Sequence, residues 1–468
     1  MKNTTHLIFG MLALTFGMEA MAQIQLPSVF SDGMVLQQNS KVAVWGWGNP
    51  SETLMILSEW NPGDTVRTVV DNQGRWKVEV PTGCAGGPYT LEVKGGNDSR
   101  KVSDVMLGEV WLCSGQSNME WSANMGIMNG EQEVKQAACP SVRIFHNPKQ
   151  GADTPQTDCR TKWEVATPES MRKTSATAYF FARYLTEHLK VPVGIFVSAW
   201  GGTPAEVWTP ADIVENDEIL AKNKLKDYPW WPIKPGVLYN QMIHPLVPYQ
   251  IAGCIWYQGE SNHENAPSYA RLVSKMVEAW RKDFGWDFPF YYVQIAPHTY
   301  GAKNNTPALL REQQEFMLGQ VKNTAMINIS DLVENVKDIH PRNKRAIGER
   351  LACLAMDKVY GLFTGAYESP RLHEARVVKR NLEVTLEGNF NTLHSTTKEV
   401  IGLTVVDGTG KQVAVNARLK GKSLQIPLRG LKAPYQVYYC FDEATIGSLR
   451  TDADMPVLPF RTAKIEVK

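Results

Sequence analysis

Apolar and polar positions alternate differently in three stretches of the chain. From 24 to about 105 the runs VAVWGWG (42–48), TLMILSEW (53–60), WKVEVPT (76–82) and YTLEVKG (89–95) are short and rich in β-branched and aromatic residues. Asn61-Pro62-Gly63-Asp64, Asp71-Asn72-Gln73-Gly74 and Gly86-Gly87-Pro88 punctuate them, a spacing that predicts a β-sandwich. The period then changes. Strands are expected over Gly108–Cys113, Val191–Ser198, Cys254–Tyr257, Phe288–Ile295 and Thr324–Ile329, and helices over Thr174–Lys190, Pro267–Phe284, Thr306–Gln320 and Pro341–Tyr360. In the first helix Ala178, Phe181, Ala182 and Leu185 fall on one face. Alternating strands and helices predict a three-layer α/β/α domain around a parallel sheet. From about 375 the runs VTLEG, GLTVVDG, SLQIPLR and YQVYYCF return to β. The expected organisation is a β-sandwich over 23–104, an α/β domain over 105–374 and a small β module over 375–468.

The first 22 residues stand outside that scheme. Lys2 precedes the apolar run Leu7–Met18, and Ala20-Met21-Ala22 reads as a cleavage site. The run is short for a bilayer-spanning helix, which needs ~20 residues. No cysteine follows it to carry a lipid. The expectation is a signal peptide over 1–22, Gln23 as mature N-terminus, and an exported protein, periplasmic or extracellular, with no membrane partner after cleavage. A formal net charge of +1 gives no reason to expect nucleic acid as a partner. The seven cysteines contain no C-x-x-C pair, so no zinc site, and no other metal or cofactor, is expected. Cys113, Cys254 and Cys353 sit in apolar runs and should be buried; Cys139 and Cys159 flank a loop and could form a disulfide.

Reactive residues in an open α/β sheet are sought beyond the carboxyl ends of the strands. Four blocks fall there: Gly115-Gln116-Ser117-Asn118, Trp200-Gly201-Gly202-Thr203, Gln258-Gly259-Glu260-Ser261-Asn262 and Asp338-Ile339-His340-Pro341. Taken singly, each is an ordinary turn or helix cap. Together they hold what acyl transfer needs: a serine hydroxyl, a base with pKa near neutrality, a carboxylate to orient it, and glycine N–H groups and amides to receive an oxyanion.

In that order the blocks resemble SGNH hydrolases, and within them the sialate O-acetylesterase family. The matching segments are GEVWLCSGQSNMEW (108–121), SAWGGTPAEVW (198–208), GVLYNQMIHPL (236–246), CIWYQGESN (254–262) and DIHPRNKRAIGERLA (338–352), with VFSDGMVLQQNSKVAVWGWG (29–48) and MPVLPFRT (455–462) outside the central domain. The resemblance implies a flavodoxin-like catalytic domain, Ser117 as nucleophile and His340 as base. It implies an oxyanion hole from the N–H groups of Ser117 and Gly202, with Gly201 as fallback, and the amide of Asn262. The sequence departs from the general pattern twice. G-x-N-D is here G-E-S-N, which makes Gln258 a competitor of Asn262. D-x-x-H has Lys337 in place of the acid, leaving Asp338, Asp331, Glu260 or a backbone carbonyl to orient His340.

Gln116, Trp200, Glu260 and Arg311 are candidate substrate contacts. Glu206 and Arg311 could read substrate hydroxyls or a carboxylate, but a structural salt bridge is the preferred reading of both; Trp121, Trp200 and Trp208 serve equally well in stacking on a sugar and in the core. His244, His263 and His298 are expected to be hydrogen-bonded structural residues. The family name implies O-acetylated sialic acid as substrate, by a Ser-His acyl-enzyme route without a cofactor. A plant polysaccharide acetylesterase is the nearest alternative, and a silent glycan-binding protein the alternative of another class. A positively charged pocket would favour sialic acid; a long aromatic cleft would favour a polysaccharide.

Overall fold

A strand apolar on both faces belongs in the middle of a sheet, and Glu109–Ser114 occupies that position. Val110 and Leu112 enter one core, while Trp111 and Cys113 enter the other. The computed structural model describes residues 23–301, 305–363 and 365–466; the signal peptide expected over 1–22 lies outside them. The central sheet is built from β1 (Asp98–Gly115), β2 (Cys139–His146), β3 (Trp163–Ala166), β4 (Val193–Ala199), β5 (Gly253–Tyr257), β6 (Phe290–Val293) and β7 (Thr324–Ile327). Their spatial order is β7-β6-β5-β1-β4-β2-β3, parallel throughout except for β3 against β2.

Helices α1 (Ala176–Leu189), α2 (Tyr269–Phe284), α3 (Thr306–Gln320) and α4 (Lys344–Lys358) cover the sheet. Apolar residues of α1 and α4 share the core of Trp111 and Cys113, and those of α2 and α3 the core of Val110 and Leu112. The fold is the expected three-layer α/β/α arrangement. Ser175 caps α1 and Asn343 caps α4, each side chain accepting the N–H three residues on. The strand β2 was not expected; it opens on Cys139-Pro140, and proline is tolerated at a strand start.

No linker separates the first stretch from the second, because β1 is continuous through 104 and 105. Its first half pairs with Gly86–Gly95 and with Val35–Gln37. Thr53–Ser58 and Thr65–Val69 complete that sheet, and the antiparallel pair Lys41–Trp47 and Arg75–Pro81 contributes Val42, Val44, Trp76 and Val80 to the same core. The C-terminal stretch forms two four-stranded antiparallel sheets and a two-stranded one over a core of its own. Among the described residues no helix is long and apolar enough to cross a membrane.

All seven cysteines are free, which corrects the possible Cys139–Cys159 bridge. Cys159 lies in the core shared with the N-terminal sheets and Cys139 at the edge of the opposite one. Cys113, Cys254 and Cys353 are buried, as expected.

The start of the central segment of β1 tolerates no side chain. A Cβ on Gly108 would lie 2.0 Å from the Pro192 carbonyl oxygen, a backbone atom that cannot rotate away. Gly108→Ala should lower stability by about 1–3 kcal/mol, read as a lower urea midpoint with an unchanged slope. An unaltered midpoint would mean that the β1–β4 spacing relaxes freely.

Candidate active site

The chain first runs along β1, then places β4 on one side of it and β5 on the other, so the carboxyl ends of these strands flank a crevice. β1 ends at Gly115, whose φ is +140° and whose Cβ would meet the Tyr257 carbonyl oxygen at 2.2 Å. Only glycine lets β1 stay this close to β5 and turn at once into the single helical turn Ser117–Glu120. β4 runs into Trp200–Thr203, β5 into Gln258–Asn262, and the segment after β7 carries His340 back across the crevice. His340 Nε2 lies 3.0 Å from Ser117 Oγ. Both line a cavity of about 640 Å³ with Gln116, Trp121, Trp200, Gly202 and Trp231.

The imidazole is held by packing as well as by polarity. The Trp121 ring stacks on it at 3.8 Å between centroids, 19° from parallel. Burial, and then the Lys344 ammonium, lower the His340 pKa to about 4 against the pull of Asp338. The ring is therefore neutral, and able to accept a proton, across the neutral range. Asp338 Oδ1 accepts the His340 backbone N–H at 2.9 Å and stands 3.6 Å from Nδ1, an ion-pair distance beyond hydrogen-bond reach. The other acids expected for this position are engaged elsewhere. Asp331 takes both Arg350 nitrogens, at 3.0 and 2.9 Å, and Glu260 accepts from Asn118 at 2.6 Å.

Asn262 and Gln258 do not line the cavity, which corrects the oxyanion role expected of them. Asn262 Nδ2 donates to Glu206 at 2.8 Å, while its Oδ1 accepts the Ala205 N–H and Gln258 Nε2. Both ends of the amide are consumed bracing the turn after β4. Gly201 is also occupied, its N–H donating to Glu120. The Ser117 N–H opens a helical turn, where no intrahelical acceptor exists, and the Gly202 N–H has no partner among the described residues. Gln116 lines the cavity. Its Oε1 accepts the Gly259 and Ser261 N–H groups at 3.4 and 3.2 Å, which leaves its NH₂ as a further donor.

Behind Ser117 lies a buried polar cluster. Asn118 Nδ2 donates to Glu260 Oε1 at 2.6 Å and to the Ile339 carbonyl at 3.0 Å, and Asn118 Oδ1 accepts Lys344 Nζ at 2.5 Å. Lys344 is fully buried, which lowers its pKa to about 7; burial raises that of Glu260. Glu260 also reaches the cavity lining.

Arg311 does not reach the cavity, which corrects its substrate role. Its guanidinium is buried against the carbonyls of Cys440 and Asp442 in the C-terminal module. Glu206 accepts from Asn223 and Asn262, not from a cation. Trp208 is core, and Trp200 lines the cavity. His244 bonds the Gln156 carbonyl at 2.7 Å. His263 and His298 pack edge-on against Tyr300 with their Nδ1 atoms unpartnered among the described residues, and the His298 ring also bonds the Val336 backbone. Among those residues no group of three or more His, Cys, Asp or Glu side chains could hold a metal ion.

This arrangement is that of an α/β serine hydrolase. The family model described as carbohydrate esterase, sialic acid-specific acetylesterase, matches residues 107–357. The sialate O-acetylesterase of Homo sapiens is 30% identical over 381 residues, covering 73% of this chain and 72% of its own. That of Mus musculus is 29% identical over 409 residues, covering 73% and 75%. The crystal structure of a carbohydrate acetylesterase from Xanthomonas citri superposes with a TM-score of 0.86 at 34% identity, covering 94% of this chain and 99% of its own. The chain belongs to the sialic acid-specific acetylesterase family of carbohydrate esterases.

Lys344 is protonated through the acid range, so its charge and that of Asp338 act on His340 in opposite directions. With 4-nitrophenyl acetate, the acid limb of kcat/KM should fall near pH 4, well below the ~6.5 of a free histidine. Lys344→Met should move that limb to higher pH, and Asp338→Asn to lower pH. A limb that stays in place in both variants would show that neither charge is felt at the imidazole.

Proposed function

We propose that this protein is an exported serine O-acetylesterase of glycans, with Ser117 as nucleophile and His340 as general base. The observation that carries this reading is the 3.0 Å contact between Ser117 Oγ and His340 Nε2 on the lining of an open cavity. His340 takes the hydroxyl proton as Ser117 attacks the acetyl carbonyl. The oxyanion is received by the N–H groups of Ser117 and Gly202 and by the Gln116 amide. His340 then protonates the departing sugar oxygen, and water repeats the cycle to release acetate. Asp338 favours the imidazolium that forms at each step, by charge at 3.6 Å. Export rests on the leader pattern of residues 1–22.

Charge in the cavity favours a neutral sugar. Lys149, Lys224 and Lys226 line it with Glu120, Glu260 and Glu264, and no arginine does so among the described residues. Lys149 pairs with Glu120 and Lys226 with Glu264, each at 2.7 Å. A sialate carboxylate would therefore find no arginine fork, two lysines already neutralised, and Lys224 alone to pair with. Sialic acid remains the second reading, because the matching family is defined by it.

Acetate release should be measured from acetylated xylan, acetylated xyloglucan and O-acetylated sialic acid. Release is expected from a neutral polysaccharide and should be abolished by Ser117→Ala. Release from sialic acid alone would reverse the substrate preference and keep the mechanism. No release from any of them, with wild type and variant alike, would leave the silent glycan-binding protein. Gln116→Ala should lower kcat by about 10²–10³-fold, the usual cost of one oxyanion donor; a kcat within a few-fold of wild type would remove Gln116 from the hole.

A further inference from the structure

All fourteen tryptophans lie within the described residues, and thirteen are buried or half-buried. Trp230 is 63% exposed. It stands on the rim of the catalytic cavity, in a loop over residues 222–235 that the sequence motifs did not mark. One limb of the loop is pinned to the segment after β5: Asn265 Nδ2 donates to the Lys224 carbonyl at 2.9 Å, Ser268 Oγ to Asn223 Oδ1 at 3.0 Å, and Lys226 pairs with Glu264. The backbones of Tyr228 and Trp231 bridge each other in antiparallel register. The aromatic rings are thus carried on an anchored frame.

The three rings are not equivalent. Trp231 packs on the turn after β4: a Cβ on Gly202 would fall 2.2 Å from its ring, and φ at Gly202 is +78°. Trp231 therefore has a structural task, closing one side of the expected oxyanion site. Tyr228 packs on Trp231, with centroids 4.4 Å apart. Trp230 lies 5.4 Å from Tyr228 and meets Trp231 edge-on, at 5.5 Å and 81°. That edge contact leaves Trp230 turned largely to solvent, one ring further out along the same wall. An indole left in water forgoes burial energy, and at the mouth of a cavity such a surface marks a binding site.

We propose that Trp230, backed by Tyr228, is a stacking subsite for the sugar residue next to the acetylated one. The substrate is then a chain that extends past this loop, an acetylated oligo- or polysaccharide and not a lone monosaccharide. A sugar ring offers a flat C–H face with no net charge, which suits an indole face beside paired lysines and glutamates. The proposal rests on the glycan reading of the catalytic site, so its test has an arm that needs no catalysis.

Binding of xylo-, cello- and manno-oligosaccharides of one to four units to the Ser117→Ala protein is measured by calorimetry, alone and combined with Trp230→Ala or Trp230→Phe. Acetate release from the acetylated series is measured with Ser117 intact. The expected result is affinity and kcat/KM that rise with chain length for at least one backbone. Trp230→Ala should remove about five- to tenfold on the longest members, the scale of one lost stacking contact. The loss should lie in KM, and Trp230→Phe should restore most of it. Chain-length dependence identical in wild type and Trp230→Ala, or absent on every backbone, would overturn the subsite and leave the esterase standing. If no glycan is deacetylated, the catalytic reading fails by itself. The calorimetry then still decides: oligosaccharide binding lost in the Trp230→Ala protein supports the platform, and equal binding overturns it.

Discussion

The Asn118 side chain, itself fully buried, must satisfy an ammonium, a carboxylate and a backbone carbonyl at once. Each partner belongs to a different part of the chain. Lys344 opens α4, Glu260 follows β5, and the Ile339 carbonyl belongs to the peptide bond leading into His340. Asn118 itself is bonded covalently to Ser117. One amide therefore fixes the turn that bears the serine against the loop that bears the histidine, although 223 positions separate the two in sequence. An unpaired buried charge costs several kcal/mol, so this arrangement is strongly preferred over any in which the loop swings away. The 3.0 Å serine–histidine contact is a consequence of that constraint, because a surface hydrogen bond alone would not hold two loops so far apart in sequence.

The same cluster sets the electrostatics. Lys344 carries charge without reaching solvent and lies near enough to disfavour protonation of His340. Asp338 opposes it only partly, because the oxygen nearest the ring is also committed to the His340 backbone N–H. Trp121 supplies by stacking part of the orientation that a well-placed acid supplies elsewhere. The imidazole is thus kept neutral by its surroundings and aligned by an aromatic ring, which fits a sequence whose D-x-x-H spacing is broken by Lys337.

The layers of the fold were legible because their apolar periods are long and regular; the boundaries of α3, Thr306–Gln320, coincide with the expectation. The strand Cys139–His146 was not, because its proline and its cysteine drew attention to a loop. Ser117, Gly202 and His340 stand out in the sequence through the resemblance of their blocks to a known family, and the structure places all three on one cavity. What spacing could not decide was the direction of an amide. Asn262 and Gln116 both neighbour the site, and only the set of hydrogen bonds around them tells which NH₂ group is spent. Lys344 left no signal either: a lysine in the first turn of a helix reads as solvent-facing until the partner that draws it inward is known. The loop over 222–235 is aromatic without a period, so its place beside the cavity emerges only from the fold.

The two β regions are joined to elements that frame the crevice. Trp45, alternating with core residues in its strand, packs edge-on against Phe30 and Tyr249. Trp45 is thus used internally, and the N-terminal sheets are continuous with the nucleophile turn through the unbroken strand β1. The C-terminal module receives Arg311 of α3 on its carbonyls and Glu312 on Arg461. Its Glu443 carbonyl accepts the His298 N–H, two residues before Tyr300 on the cavity lining. Both modules thus end on elements that frame the crevice. Stiffness there has a chemical use, since donors aimed at a developing oxyanion stabilise it only if they need not reorganise as it forms.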